Sequence, residues 1–504
     1  MRQPSRRAGI SVPLFSLRST RSWGIGEIGD IPAAAAWLRA GYQSVLQILP
    51  LNELAPGEAS PYSALSAMSI DPQFISIWML DDSTVIEEGM ADELELVRRS
   101  PKVDYGAVRA LKTRALRTAF ERFFRTEWLT NTEKAAALRS YIALESWWLD
   151  EYSLYRALRA ESGERPWPEW PSELRDRDAA ALAEARSRLS QEILYFQYVQ
   201  WIAAGQWQIA RQRTEGIEIV GDCPFMVTLD SADVWSRRQD FMLDASVGTP
   251  PDAFSDTGQE WGLPPYNWDR ARTNDFEWLR MRVRRLGELY DGFRVDHLVG
   301  FYRTYVRPLD GRPPYFMPPD ESEQRELGET VMRIIMETGA DVSVEDLGTV
   351  PPFVRESIAR LHLPGYKVLR WEPDDPVMFP PLSVAMTGTH DTEPLAVWWE
   401  TLSAAEQRRF GFESRAFDDT VRDGILLHIY QAGSNLVLVP LQDVFGWPDR
   451  INLPATMNDA NWRYVLPWPV DEMMRHPDAR KGADRLAEWS YQTGRWHPPL
   501  ETED

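Results

Sequence analysis

The sequence predicts an α/β protein built on a (β/α)8 TIM barrel with inserted, mainly helical subdomains and long βα loops. Three observations lead there. Eight short apolar runs alternate with amphipathic segments, the pattern of βα units around a parallel sheet. A long and strongly helical interval interrupts the alternation after the second run. Three of the later runs end in acidic residues, at the end of the strand where this fold carries its functional side chains.

The runs lie at 44–51, 73–77, 217–222, 292–296, 342–345, 366–370, 382–387 and 435–441. Amphipathic stretches at 31–40, 276–289, 322–338, 354–361 and 404–410 supply covering helices. The interval 83–215 is too long for a simple crossover. It reads as helices at 87–98, 105–126 and 131–160, then 176–215 after a proline-rich break at 166–171. The expected division is therefore 1–82 for the barrel start with strands one and two, 83–215 for an inserted helical subdomain, and 216–504 for the rest. A loop insertion at 229–275, rich in Pro, Trp and Asp, is placed to shape a site. At 504 residues the chain exceeds an average domain, yet one barrel with insertions absorbs more than about 400.

Composition narrows the function. Lys and Arg number 55 against 76 Asp and Glu, and the net charge of −21 repels nucleic acid and anionic lipid. A neutral ligand is indifferent to that field. The lone cysteine, Cys223, allows no intrachain disulfide and reads as a small buried hydrophobe. Six histidines without metal-binding spacing argue against a histidine-built metal site. Positions 1–7 lead into no apolar stretch, and no run of about 18 apolar residues occurs, so a cytoplasmic, membrane-free location is expected. The 22 Trp, 17 Tyr and 19 Phe are mostly core, Trp147, Trp148 and Trp201 among them. The surplus suits a cleft that stacks flat, half-apolar rings and hydrogen-bonds their hydroxyls, as sugars require.

The strand-end acids are Asp296 in Gly-Phe-Arg-Val-Asp-His, Glu345 and Asp346 in Val-Ser-Val-Glu-Asp, and Asp391 after His390 in Met-Thr-Gly-Thr-His-Asp. Period-two alternation puts Arg294 on the same face as Asp296, where a guanidinium can hold the carboxylate ionised. An Asp that ends a strand is more often a turn former or a helix cap. Convergence of three on strands four, five and seven is different, because crowded acids raise one another's pKa and cost stability. Two of them can divide the labour of glycosidic chemistry between an ionised nucleophile and a protonated acid.

At these residues the sequence resembles the 4-α-glucanotransferases, or amylomaltases, relatives of the α-amylases. The resemblance spans nearly the whole chain. It runs through Trp-Gly-Ile-Gly-Glu-Ile-Gly-Asp at 23–30, Gln-Ile-Leu-Pro-Leu at 47–51, Ser-Pro-Tyr-Ser at 60–63 and Gly-Asp-Cys-Pro-Phe-Met at 221–226. Its most specific stretch is Pro-Pro-Asp-Ala-Phe-Ser-Asp-Thr-Gly-Gln-Glu-Trp-Gly at 250–262. Arg-Ile-Asn-Leu-Pro at 450–454 and Asn-Trp-Arg-Tyr at 461–464 complete it.

The resemblance implies a retaining double displacement that moves α-1,4-glucan segments between maltooligosaccharides and needs no cofactor. It makes Asp296 the nucleophile, Glu345 the acid and base, and Asp391 the third carboxylate, with Arg294 orienting Asp296. His297 and His390 then bind hydroxyls, Tyr62 is the platform for the transferred sugar, and Asp222 is a structural acid. Asp252, Phe254, Gln259, Trp261 and Asn452 are expected at the acceptor side or nearby. Two other readings remain open on the residues alone: an α-glucan hydrolase with the same acids, and a non-catalytic glucan binder. The sequence departs from the family pattern at Thr392, where Asn is usual, in a shortened segment at 236–249, and at Ser69-Ile70-Asp71-Pro72.

Overall fold

The computed structural model describes residues 6–251, 258–413, 415–454, 456 and 458–496. Eight parallel strands close into a barrel: β1 (Arg7–Ser11), β2 (Val45–Gln47), β3 (Glu218–Cys223), β4 (Gly292–Val295), β5 (Asp341–Val344), β6 (Gly365–Val368), β7 (Ser383–Met386) and β8 (Leu436–Pro440). Each strand pairs with its neighbour in sequence, and β1 pairs with β8 to close the ring. Val45, Val220, Tyr366, Val368, Val384, Met386 and Leu438 form one cluster of strand side chains. Burial of side chains of this size stabilises the barrel by about 1.5–3 kcal/mol each.

Two strand expectations need correction. The run at 73–77 is not a strand: short 3-10 turns occupy Pro72–Phe74 and Ile77–Met79. Its backbone groups are satisfied by side chains instead of a ladder. Lys112 Nζ donates to the Ile75 carbonyl at 2.8 Å, and Gln206 exchanges bonds with Ser76 at 2.7 and 2.9 Å. The apolar run reflects burial beneath helices, which periodicity does not separate from burial in a sheet. The missing strand is β1, whose sequence Arg-Ala-Gly-Ile-Ser is too mixed to read as an apolar run. Gly9 is required there, since a Cβ would stand 2.5 Å from Val45 Cβ on β2.

Between β2 and β3 the chain is helical, with Tyr105–Phe123, Glu133–Glu161 and Ser190–Gln212 the longest elements. Asp104, Thr132 and Asp178 cap helices by accepting backbone N–H bonds from Ala107, Ala135 and Ala180. Trp207 ties this region to the barrel by donating to the Leu289 carbonyl at 2.8 Å. The expected aperiodic insertion at 229–275 holds more order than its composition suggests. Ala245–Thr249 pairs with Gln259–Glu260 and with Thr304–Pro308, and Tyr315–Met317 completes a four-stranded antiparallel sheet. Among the described residues no helix is long and apolar enough to cross a membrane.

Candidate active site

Strand register assembles the centre of the site. Asp222 on β3 and Arg294 on β4 are direct partners in the ladder. Backbone pairing continues one residue past the strands: Asp296 N donates to the Cys223 carbonyl at 3.1 Å, and Glu345 N to the Val295 carbonyl at 3.0 Å. Side chains of the strand tips therefore share one end of the barrel. Arg294 Nη1 pairs with Asp222, while Nη2 donates to Asp296 Oδ1 and to Glu345 Oε2, each at 2.7 Å. The two acceptor oxygens thus lie within twice 2.7 Å, about 5.4 Å, of each other. Arg294 is 5% exposed, whereas the Asp296 and Glu345 side chains are 22% and 23% exposed. The guanidinium sits beneath and the carboxyls face the opening.

One flank is built from three chain regions. Tyr62 Oη donates to Asp222 Oδ2 at 2.8 Å and lies 3.1 Å from His390 Nε2, with the two rings stacked at 5.7 Å. Asp391 follows at 3.4 Å from His390 Nε2 and accepts from Asn452 Nδ2 at 2.6 Å. On the other flank His297 has a left-handed backbone, φ 44°, and its N–H donates to Glu345 Oε2 at 3.0 Å. Trp261 meets the His297 ring edge-on at 5.0 Å, and its Nε1 donates to Gln259 Oε1 at 3.3 Å. Asp252 and Phe254 lie outside the described residues. All the other expected site residues converge on this end of the barrel.

Electrostatics puts one proton on the central pair. Burial pushes Asp296 well above the usual carboxylate range, with the neighbouring Glu345 and Asp222 carboxylates adding to the effect against Arg294. Burial pushes Glu345 upward too, but the Arg294 guanidinium and the His297 N–H outweigh it and bring this carboxyl down to about 2. Two acids so close do not both ionise near neutral pH. Burial also lowers His297 and raises the Tyr62 hydroxyl, so both are neutral hydrogen-bonding groups.

Two further contributors stand inside the family-like motifs without having been singled out by them. Arg450 Nη2 donates to the Asp391 carbonyl at 2.5 Å and Nη1 to Glu393 at 2.8 Å, which fixes the loop after β7. Trp462 places its ring 5.7 Å from His390 and 5.8 Å from Tyr62. A hollow of about 1310 Å³ lies apart from the carboxyls, lined by residues such as Trp147, Arg177 and Asp240. Several of its charges pair with one another, Arg177 with Glu151 at 2.8 Å and Arg238 with Asp176 at 2.9 Å.

A family model described as "4-alpha-glucanotransferase" matches residues 12–470. The chain belongs to the 4-α-glucanotransferase family. A 4-α-glucanotransferase of Thermus thermophilus is 32% identical over 478 residues, covering 88% of this chain and 92% of the relative. One from Chlamydia pneumoniae is 29% identical, with 94% and 93% covered. The fold matches an amylomaltase from Streptococcus agalactiae, solved in complex with acarbose, at a TM-score of 0.83. The identity there is 25%, with 98% of this chain and all of that one covered. The resemblance read from the motifs is borne out, and so is the barrel. In this member of the 4-α-glucanotransferase family Thr392 closes the turn that carries His390 and Asp391. Its Oγ1 accepts from Thr389 N and donates to the Thr389 carbonyl, both at 3.0 Å. Gly388 permits this turn, since a Cβ there would stand 2.4 Å from Thr392 Oγ1.

Proposed function

We propose that the protein transfers α-1,4-linked glucan segments between maltooligosaccharides, with Asp296 as nucleophile, Glu345 as acid and base, and Asp391 as the third carboxylate. The observation that carries this reading is the sharing of Arg294 Nη2 by Asp296 and Glu345 at 2.7 Å each. Retaining pairs stand ~5–5.5 Å apart and inverting pairs ~6.5–9.5 Å, because the latter must admit a water. The bound of about 5.4 Å supports the retaining arrangement.

The donor's glycosidic oxygen draws the shared proton onto Glu345 and leaves Asp296 ionised against Arg294. Asp296 attacks C1 of the sugar as the C1–O bond to the leaving glucan breaks, and that oxygen takes the Glu345 proton. An ester between C1 and Asp296 results. The acceptor hydroxyl then gives its proton to Glu345 and attacks C1, which breaks the ester and frees Asp296. Asp391, held by Asn452 and close to His390, receives hydroxyls of the distorted ring. Arg294 stays charged throughout and cannot take the proton.

Trp261, edge-on to His297, supports an acceptor platform that favours a sugar over water at the ester stage. A cytoplasmic setting and neutral glucan partners belong to the same reading. Incubation with maltotriose alone tests it. Longer oligomers plus glucose are expected. Net gain of reducing ends identifies a hydrolase instead, and no product identifies a binder.

A further inference from the structure

Trp462 has a left-handed backbone with φ 64°. A bulky residue adopts that conformation only where its surroundings over-determine it, and such positions gather at functional sites. Four hydrogen bonds impose it here. Trp462 N donates to the Ile451 carbonyl at 2.8 Å, and its own carbonyl accepts from Tyr105 Oη at 2.7 Å. Arg463 and Val103 exchange two more, at 3.0 and 3.3 Å. Tyr105 opens the helix Tyr105–Phe123, one turn before Arg109. Arg109 donates to the Leu54 and Ala55 carbonyls at 2.8 and 3.3 Å, in the stretch that leads to Tyr62. One helix thus grips both the Tyr62 loop and the Trp462 turn.

Trp462 is 8% exposed, so its indole has little surface for a sugar. Its ring instead closes a triangle with Tyr62 and His390, at 5.8 and 5.7 Å, while those two stand 5.7 Å apart. We infer that Trp462 is a positioning residue for the donor sugar: pinned by the helix Tyr105–Phe123, it backs Tyr62 and His390 and fixes their polar atoms beside Asp222. The inference rests on the reading of Tyr62 and His390 as donor contacts. Without the indole both rings gain room to rotate, and the 2.8 Å bond from Tyr62 to Asp222 loosens.

The test is a double-mutant cycle on kcat/KM for maltotriose, with melting temperature measured in parallel. Trp462→Ala is expected to lose about tenfold, the scale of coupling between residues in contact. The loss should fall on kcat, with KM little changed, because positioning acts in the transition state. Combined with Tyr62→Phe, the loss should be clearly smaller than the product of the single losses. Glycine adopts a φ of 64° without strain. Trp462→Gly should therefore melt at or above Trp462→Ala yet be equally slow, which separates positioning from stability. Tyr105→Phe, which removes one remote hydroxyl, should show the same kcat pattern more weakly. Strict multiplicativity in the cycle, or a Trp462→Gly variant with wild-type kcat, overturns the inference. A Tyr62→Phe variant as fast as wild type overturns the donor-contact reading itself, a different failure seen in a different variant.

Discussion

Asp222 and Arg294 face each other across β3 and β4, and their ion pair turns the far nitrogen of the guanidinium toward Asp296 and Glu345. Asp222, 3% exposed, is anchored further by the Tyr62 hydroxyl. One buried cation therefore sets the spacing of two carboxyls from a third. Lysine keeps the charge but has no planar fork to serve both sides. Arg294→Lys is expected to fold and to lose turnover by orders of magnitude, and a variant within tenfold of wild type would show that the fork is dispensable.

Asp296→Asn tests the nucleophile. The amide is nearly isosteric but far less nucleophilic, so loss of several orders of magnitude in kcat is expected with maltooligosaccharide binding retained. Steady-state rates with calorimetric binding check both parts. Retention of a tenth of the wild-type rate, after deamidation is excluded by mass, would remove Asp296 from that role.

Glu345→Gln separates the acid from the nucleophile. Ordinary glucans need a protonated leaving group, whereas glycosyl fluorides and activated aryl glycosides do not. The variant should be slow on the former, partly restored on the latter, and should accumulate an adduct on Asp296 visible by intact-mass spectrometry. Equal impairment on both donor types would mean that another group supplies the proton.

Asp296 and Glu345 are legible in the sequence because period-two alternation and strand ends are local properties, whereas Asp391 lies five residues beyond Met386, in the loop after β7. Asp296 and Arg294 are two residues apart, and no long-range knowledge is needed to put them on one face. β1 is not legible, because Arg7, Gly9 and Ser11 owe their strand to parallel pairing with β2 and β8. The run at 73–77 misleads for the opposite reason. Its burial comes from helices further along the chain, whose Lys112 and Gln206 satisfy its backbone. Arg450 and Trp462 stand in recognisable motifs, yet their roles stay hidden in the sequence, since their partners Asp391, Tyr62 and His390 are distant along the chain.

Asp30 makes stability depend on pH outside the site. It is 2% exposed and accepts from Ser22 Oγ and Glu27 N, each at 2.7 Å. Burial, with the Glu27 carboxylate, pushes it up to about 7. In the unfolded chain it titrates near ~3.9. Between these values the native state holds the extra proton, so the contribution of Asp30 to stability is full below about pH 4 and is lost as pH rises toward 7. By linkage the loss is on the order of 4 kcal/mol at most. Asp30→Asn should gain stability relative to wild type across that window, as urea unfolding from about pH 4 to 8 would read. Parallel curves for the two proteins would refute the assignment.

In the proposed mechanism Trp261 governs how the ester is resolved. It stands at the edge of the small antiparallel sheet, half-buried, with its ring edge-on to His297 at 5.0 Å and its Nε1 bound to Gln259. Its indole N–H bonds Gln259 and not Asp296 or Glu345, so truncation of the side chain leaves the cleavage machinery in place. An aromatic contact contributes ~0.5–1.5 kcal/mol beyond its buried area. At a factor of about ten per 1.36 kcal/mol, the preference for sugar over water should fall by roughly two- to twelve-fold. Trp261→Ala should therefore raise the ratio of reducing-end gain to transfer product on maltotriose, while the rate of donor cleavage changes less. Loss of packing alone predicts something else: both activities fall together, the ratio holds, and the melting temperature drops. The two outcomes diverge in the ratio, so the ratio decides whether Trp261 meets the acceptor or only supports His297.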